Sequence, residues 1–167
     1  MKKLLLSAAF IAALALNANA QTEGAVQKLS IGAEVGLPTD EGSSGLMLAG
    51  GSVYYEHPVA KSFNLTGGIS YLTLFSTEKN VSGSAGYTSI KAGGKYYFGG
   101  NFYAAGEVGA TIQREGGMGL FAFAPGLGAS FSVANKSSLD FGLRFETWSK
   151  NGSASFLGLR AAYAFGL

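Results

Sequence analysis

The sequence contains no cysteine and only one histidine, His57. Without cysteine the chain can form neither a disulfide framework nor a thiolate metal site, and it has no cysteine for N-terminal lipid modification. A nucleophilic serine needs an activating base, most often histidine. A single histidine therefore leaves little room for an enzyme of that kind.

Long apolar stretches are equally scarce, and the one that exists lies at the N-terminus. It begins with two lysines, continues with mostly apolar residues to position 16, and ends in Ala18-Asn19-Ala20. This is the layout of a secretory signal peptide with its A-x-A cleavage site. A transmembrane helix needs roughly 20 apolar residues, which this run does not reach. We predict that residues 1–20 are a cleaved signal peptide and that residues 21–167 form one domain.

Acidic and basic residues are balanced outside the signal peptide. The whole sequence has 12 Lys and Arg against 10 Asp and Glu. The signal peptide contains two of the lysines and no acid, which leaves ten of each sign. A neutral chain without runs of Lys or Arg lacks the positive field that nucleic-acid binding uses. We therefore expect no nucleic-acid partner.

From Lys28 onward, short segments alternate apolar and polar residues with a period of two, which is the signature of strands with two different faces. Turn-forming residues separate eight such segments. Most are close to the 9–11 residues that a tilted strand needs to cross a membrane. Their predicted bounds are Lys28–Leu37, Leu46–Tyr55, Phe63–Leu74, Thr88–Phe98, Phe102–Ile112, Leu120–Val133, Leu139–Trp148 and Phe156–Leu167.

The charged residues within these segments all fall on one face, together with many small residues. They are Glu34, Lys91, Lys95, Glu107, Asp140, Arg144, Glu146 and Arg160. The opposite face has no charge and carries 13 aromatic side chains. An uncharged, aromatic-rich face backed by a polar, glycine-rich face is typical of a membrane-spanning β-barrel with lipid outside.

We therefore predict an all-β fold, an eight-stranded antiparallel up-and-down transmembrane β-barrel. The alternative is a secreted soluble ligand-binding barrel with the apolar face turned inward. Thirteen aromatic side chains are too bulky for the interior of an eight-stranded barrel, which side chains just fill. Pro125, in the sixth segment, removes a ladder hydrogen bond, so we expect a bulge or irregularity there.

The connections between segments predict the orientation. Gly99–Asn101 and Ala134–Ser138 are short, and by alternation Glu56–Ser62 belongs with them, whereas the other four connections are longer or looser. Outer-membrane barrels have short turns in the periplasm and longer loops outside. In this orientation the aromatic residues of the uncharged face form one group near each end of the strands, as aromatic belts at two membrane interfaces do.

Over residues 21–167 the sequence resembles the small eight-stranded outer-membrane barrels of the OmpA/OmpX type. The resemblance rests on the strand count, the alternation, the run Lys95–Tyr103 and the final strand with Phe165 and Leu167. Such barrels usually end in an aromatic residue, whereas this sequence ends in leucine. The resemblance implies the outer membrane of a Gram-negative bacterium, with the N-terminus and short turns periplasmic and the longer loops extracellular. It also implies contact with outer-membrane lipid and lipopolysaccharide, and handling by periplasmic chaperones and the outer-membrane assembly machinery. We expect a monomer without cofactor.

The inward charges are the candidate functional residues. Buried charges persist only when they are paired and hydrogen-bonded, and eight strands leave a lumen that side chains fill. We therefore predict a lumen charge network with a structural role. Its members are Glu34, Lys91, Glu107, Arg144, Glu146 and Arg160. The alternative that stays open is a narrow channel for water or small ions.

We expect no catalytic and no metal-binding residues. Barrels that resemble lipid A deacylases or palmitoyltransferases need a serine with a histidine base, but His57 lies in a predicted periplasmic turn. Asp40-Glu41-Gly42 is a short acidic loop tip without the ligand spacing of a calcium loop. The leading prediction is a non-enzymatic integral outer-membrane barrel with a structural or surface-presentation role, in envelope integrity, adhesion or host interaction.

Overall fold

The computed structural model describes residues 26–78, 83–114, 117 and 119–167. The predicted signal peptide, residues 1–20, lies outside these ranges. Eight strands contain most of the described residues. They are β1 (Lys28–Pro38), β2 (Leu46–Ala60), β3 (Phe63–Ser76), β4 (Ser84–Phe98), β5 (Phe102–Gln113), β6 (Gly119–Ala134), β7 (Ser137–Ser149) and β8 (Ser153–Gly166).

Each strand pairs antiparallel with the next, and β1 pairs antiparallel with β8, so the sheet closes into a barrel. The prediction of an eight-stranded antiparallel up-and-down barrel is confirmed. One end of the barrel, here called the loop end, carries the connections 39–45, 77–83, 114–118 and 150–152. The turn end carries the connections 61–62, 99–101 and 135–136. Within the described ranges there is no helix with the length and hydropathy of a membrane span.

Side chains alternate between a buried inner face and an exposed outer face, as the pleat of a strand requires. On β1, Glu34 is 2% exposed whereas Ile31 is 57% exposed. On β4, Lys91 is 2% exposed while its neighbour Ile90 is 59% exposed. The apolar face therefore points outward and the charged face inward. The alternative of a soluble barrel with an apolar interior is wrong.

The second strand is longer than predicted because it continues through a segment that the sequence analysis assigns to a turn. β2 reaches Ala60, whereas the predicted strand ends at Tyr55. Pairing with β1 stops at Glu56, so the residues beyond it have a paired neighbour only on the β3 side. Pro58, which has no N–H to donate, is tolerated there as on an edge strand. The register to β3 shifts between Pro58 and Ala60.

Two other strands begin three or four residues earlier than predicted, at Ser84 instead of Thr88 and at Ser153 instead of Phe156. Their first residues are small and polar, which favours turns in isolation. A neighbouring strand pairs with these residues on one side, β3 for Ser84 to Gly86 and β7 for Ser153 to Ser155, and this tertiary pairing overrides the local preference.

Pro125 lies in the middle of β6 without a bulge. Its pairing with β5 is regular, with Pro125 opposite Gly106. On the β7 side the ladder is interrupted at Ala124 and Pro125, but Phe123 and Gly126 keep the same register on either side. The proline therefore interrupts one ladder without inserting a residue.

Two inward-facing glycines mark places where neighbouring strands approach closely. A Cβ atom at Gly93 would collide with the carbonyl oxygen of Gly106, and one at Gly50 would collide with the carbonyl oxygen of Tyr71. Only glycine fits at such positions. The narrow barrel depends on these residues.

The interior is divided into two layers along the barrel axis. Charged and polar side chains fill the middle and the turn end. The loop end is filled by an apolar cluster, which the sequence analysis does not predict because it treats the inner face as polar throughout. The cluster consists of Leu48, Leu72, Ala122, Trp148 and Phe156, with Leu74, Tyr87 and Leu120 packed against it.

Candidate functional site

The structure places all six residues of the predicted charge network inside the lumen. Glu34, Lys91 and Glu146 are at most 2% exposed. The side chains of the other three members are between 9% and 12% exposed. These residues lie on five different strands, β1, β4, β5, β7 and β8. They meet because the period-two alternation turns each of them inward.

Eight ion pairs join nine side chains into one chain of alternating charge, here called the ion-pair chain. Each base lies between two acids, so every positive charge has a negative neighbour on both sides. The chain begins and ends on an acid. Its order is Glu107, Lys91, Glu146, Arg144, Glu34, Arg160, Asp140, Lys95 and Glu56.

Glu146 is the central residue in the half of the ion-pair chain that lies toward the loop end. Its Oε2 accepts hydrogen bonds from Lys91 Nζ and from Arg144 Nε, both at 2.6 Å. Its Oε1 accepts the indole N–H of Trp148 at 2.7 Å. Three donors to one fully buried carboxylate provide the pairing that a buried charge requires.

Glu34 joins the first strand of the barrel to the last two. Its Oε2 accepts from Arg144 Nη2 at 2.7 Å, and its Oε1 lies 3.5 Å from Arg160 Nε. Arg160 also donates to the hydroxyls of Ser52 and Ser30, each at 2.9 Å. These contacts therefore cross the seam at which β1 meets β8.

Three residues outside the predicted network complete the turn-end half of the chain. Lys95 Nζ lies 2.9 Å from Asp140 Oδ2 and 3.1 Å from Glu56 Oε2. Tyr103 donates to Asp140 at 2.9 Å, and Tyr97 donates to Glu56 at 2.8 Å. The alternation predicts that Lys95 and Asp140 face inward, but Glu56 joins them only because β2 is longer than predicted.

The apolar cluster lies directly on the ion-pair chain. The ring centres of Tyr87 and Trp148 are 4.8 Å apart, and those of Trp148 and Phe156 are 5.1 Å apart in an edge-to-face arrangement. The guanidinium carbon of Arg144 lies 5.7 Å from the centre of the Phe156 ring. Apolar and charged layers are thus in contact, and together they occupy the lumen.

The residues considered for catalysis or metal binding lie elsewhere. His57 is on the outer face of β2 and stacks on Tyr55 with ring centres 6.3 Å apart, away from the lumen hydroxyls. Asp40 has a structural contact, because its Oδ2 accepts the backbone N–H of Ser155 at 2.8 Å and so attaches the 39–45 loop to β8. In the part of the chain that the structure describes, no three His, Asp or Glu side chains are arranged to hold a metal ion.

No protein-family model matches the sequence, and no curated protein matches it significantly. Solved structures do match the fold. The crystal structure of Neisserial surface protein A is 15% identical, with a TM-score of 0.63 over 84% of this chain and 97% of that chain. The chain has the fold of the small outer-membrane barrels.

Two further structures share this fold. Ail, the attachment invasion locus protein of Yersinia pestis, is 17% identical, with a TM-score of 0.57 over 84% of this chain and 99% of its own. The N-terminal β-barrel domain of Pseudomonas aeruginosa OprF is 14% identical, with a TM-score of 0.51 over 83% and 97%. The resemblance to the OmpA/OmpX type of barrel is confirmed as a likeness of fold. Fold does not specify activity.

Proposed function

We propose that this chain is a non-enzymatic integral outer-membrane protein of a Gram-negative bacterium, whose closed barrel is a structural element of the envelope and presents short loops at the cell surface. The observation that carries the proposal is the occupied lumen. The ion-pair chain crosses its middle, and the apolar cluster covers its loop end. A barrel filled in this way is poorly suited to conduct solutes.

The outer face supports the membrane location. Its large apolar side chains are exposed by between 37% and 62%, and the charged side chains of the ion-pair chain all point the other way. A continuous apolar surface of this kind marks a membrane or protein interface. Aromatic residues such as Tyr96 and Phe102 lie toward the turn end and Phe121 and Phe145 toward the loop end, as in the belts of outer-membrane barrels.

In this proposal the turn end lies in the periplasm and the loop end lies outside, since outer-membrane barrels have their longer connections outside. The outer face then contacts outer-membrane lipid and lipopolysaccharide. Periplasmic chaperones deliver the chain, and the assembly machinery reads the last strand, on which Phe165 points outward. A closed barrel leaves no unpaired strand edge, which supports a monomer.

The loops favour presentation over a charge-driven adhesive role. Ail has been solved in complex with the heparin analogue sucrose octasulfate. Binding of such a polyanion needs clustered positive charge. The loop-end connections of this chain carry Lys79, Arg114 and Lys150 among four acids, so we do not extend that ligand to this protein. Catalysis is not proposed either, because His57 lies on the outer face at the turn end.

Three measurements on the mature chain test the proposal. We expect it in the membrane fraction, with a heat-dependent shift in gel mobility after folding in detergent. In a planar bilayer we expect no steady conductance. An unshifted band found only in the soluble fraction would overturn the membrane location. A stable wild-type conductance would overturn the closed lumen and favour the alternative of a narrow channel for water or small ions.

A further inference from the structure

The middle of the lumen contains a cavity of about 60 Å³. Small residues, among them Ala105, Ala124 and Gly126, form part of its wall. The cavity is thus built into the sequence at positions where larger residues would close it.

Polar side chains line part of this cavity. Members of the ion-pair chain line it, including Lys95 and Glu107, together with Tyr103. The hydroxyl of Thr66, a residue that is 6% exposed, lines it too and has no hydrogen-bond partner among the described residues. One water needs about 10–15 Å³ of such space and two to four polar partners. The cavity therefore suits a small cluster of ordered waters.

The loop end of the lumen has the opposite character. Leu72 and Phe156 are at most 2% exposed. The rings of Tyr87, Trp148 and Phe156 form a continuous row with neighbouring centres 4.8 and 5.1 Å apart. Even at Gly36 a Cβ atom would lie 2.9 Å from the Phe156 ring. This layer has no room for water.

The polar groups within this layer satisfy one another. Ser89 and Thr111, each at most 1% exposed, form a hydrogen bond of 2.7 Å. The indole N–H of Trp148 donates to Glu146. Ser70, whose hydroxyl lacks a partner in the described ranges, lies closer to the turn end, where the polar region begins. The apolar layer therefore offers no free donor or acceptor to a passing water molecule.

From these two layers we infer that the lumen is a hydrated chamber closed by a dry seal. The chamber is the 60 Å³ cavity, and the seal is the apolar cluster. The seal, and not the ion-pair chain, is the barrier to ions. In the chamber, polar groups replace part of the hydration shell of an ion, whereas the seal offers it none. The ion-pair chain instead holds the strands around the chamber. The inference rests on the closed lumen proposed above and assigns the closure to one layer.

Variants in each layer separate the two roles. Leu72→Ala combined with Phe156→Ala removes two large side chains from the seal. Arg160→Ala interrupts the ion-pair chain and leaves the seal unchanged. Leu159→Ala, which is on the outer face of β8, is the matched control. We expect the seal variant to conduct at least tenfold above the wild-type background in a planar bilayer. Arg160→Ala and Leu159→Ala should stay at background. The heat-dependent gel shift verifies that each variant is folded.

The inference is overturned if the folded seal variant shows no conductance above background, or if the Arg160→Ala barrel conducts. Conductance of the wild type would instead contradict the proposed function. A measurement on the wild-type protein tests the same inference without any substitution. In NMR spectra of the barrel in lipid nanodiscs, magnetisation from water should reach Thr66 and Tyr103 and should not reach the methyl groups of Leu48 and Leu72. Transfer to those methyl groups would show a wet seal and overturn the inference.

Discussion

Replacing Glu146 by alanine should be among the most destabilising single changes in the lumen. Lys91 would lose its partner at 2.6 Å and keep only Glu107 at 3.8 Å. At an effective dielectric constant of about 20, two unit charges 2.6 Å apart attract each other by roughly 6 kcal/mol. The Lys91 side chain is 1% exposed, so water does not screen the unpaired ammonium. Arg144 keeps Glu34 at 2.7 Å, and relaxation offsets part of the loss. We therefore expect the free energy of unfolding to fall by about 3–5 kcal/mol, as for other broken buried pairs.

Urea titration of the barrel in lipid vesicles would measure this change, with unfolding followed by gel mobility so that the signal does not depend on Trp148. Glu41→Ala, in the exposed 39–45 loop, is the control and should stay within about 0.5 kcal/mol of the wild type. Replacing both Lys91 and Glu146 by methionine removes both charges and should cost less than the single change, although Glu107 then loses its ion pair with Lys91. A Glu146→Ala barrel as stable as the control, or a double variant no better than the single one, would refute this account.

Three other predictions follow from the faces, the orientation and the packing of the barrel. Leu143→Arg places a charge on the lipid side of β7 and should lower the free energy of unfolding in vesicles by about 2–4 kcal/mol. Leu143→Ala, the control, should lower it by less than half as much. Equal decreases for the two variants would contradict a lipid-facing position. Gly152→Cys should react with an impermeant thiol reagent on intact cells, whereas Lys136→Cys should not. The reverse labelling pattern would show that the barrel has the opposite orientation. Gly93→Ala should cost about 1–3 kcal/mol in the same urea assay because its Cβ meets the neighbouring strand, whereas Gly106→Ala, with open space around it, should be near neutral.

Much of the fold follows from the alternation of residue types. Once Glu34, Arg144 and Arg160 are seen to share a face with small residues, and the opposite face to be apolar, only a barrel with lipid outside satisfies both surfaces. The strand number follows because clusters of turn-forming residues interrupt the alternation between segments, although single glycines and serines also occur within the segments. Bounds were predicted less well, since pairing with a neighbouring strand extends a segment such as β4 beyond its own preferences.

The interior was harder to predict, for two reasons. Glu56 was not predicted as a member of the ion-pair chain because His57 and Pro58 favour a turn locally. Pairing with β1 continues to Glu56, and this depends on the register between the strands, which the sequence does not show directly. The apolar seal had a signal in the sequence, since the alternation alone turns Leu48 and Leu72 inward. The position of an inward residue along the barrel axis depends on the shift in register between neighbouring strands. That shift is fixed only when the barrel closes.

The ion-pair chain also bears on how the barrel folds. Glu34 and Arg144 are 110 residues apart in sequence and come together only when β1 meets the last strands. A partly assembled sheet that lacks β1 would therefore leave Arg144 without Glu34 on the face that later becomes the lumen. The joining of β1 to the last strands adds the ion pairs of Glu34 with Arg144 and Arg160. The barrel should consequently form in an all-or-none manner, with the joining of its first and last strands as the last and most cooperative event.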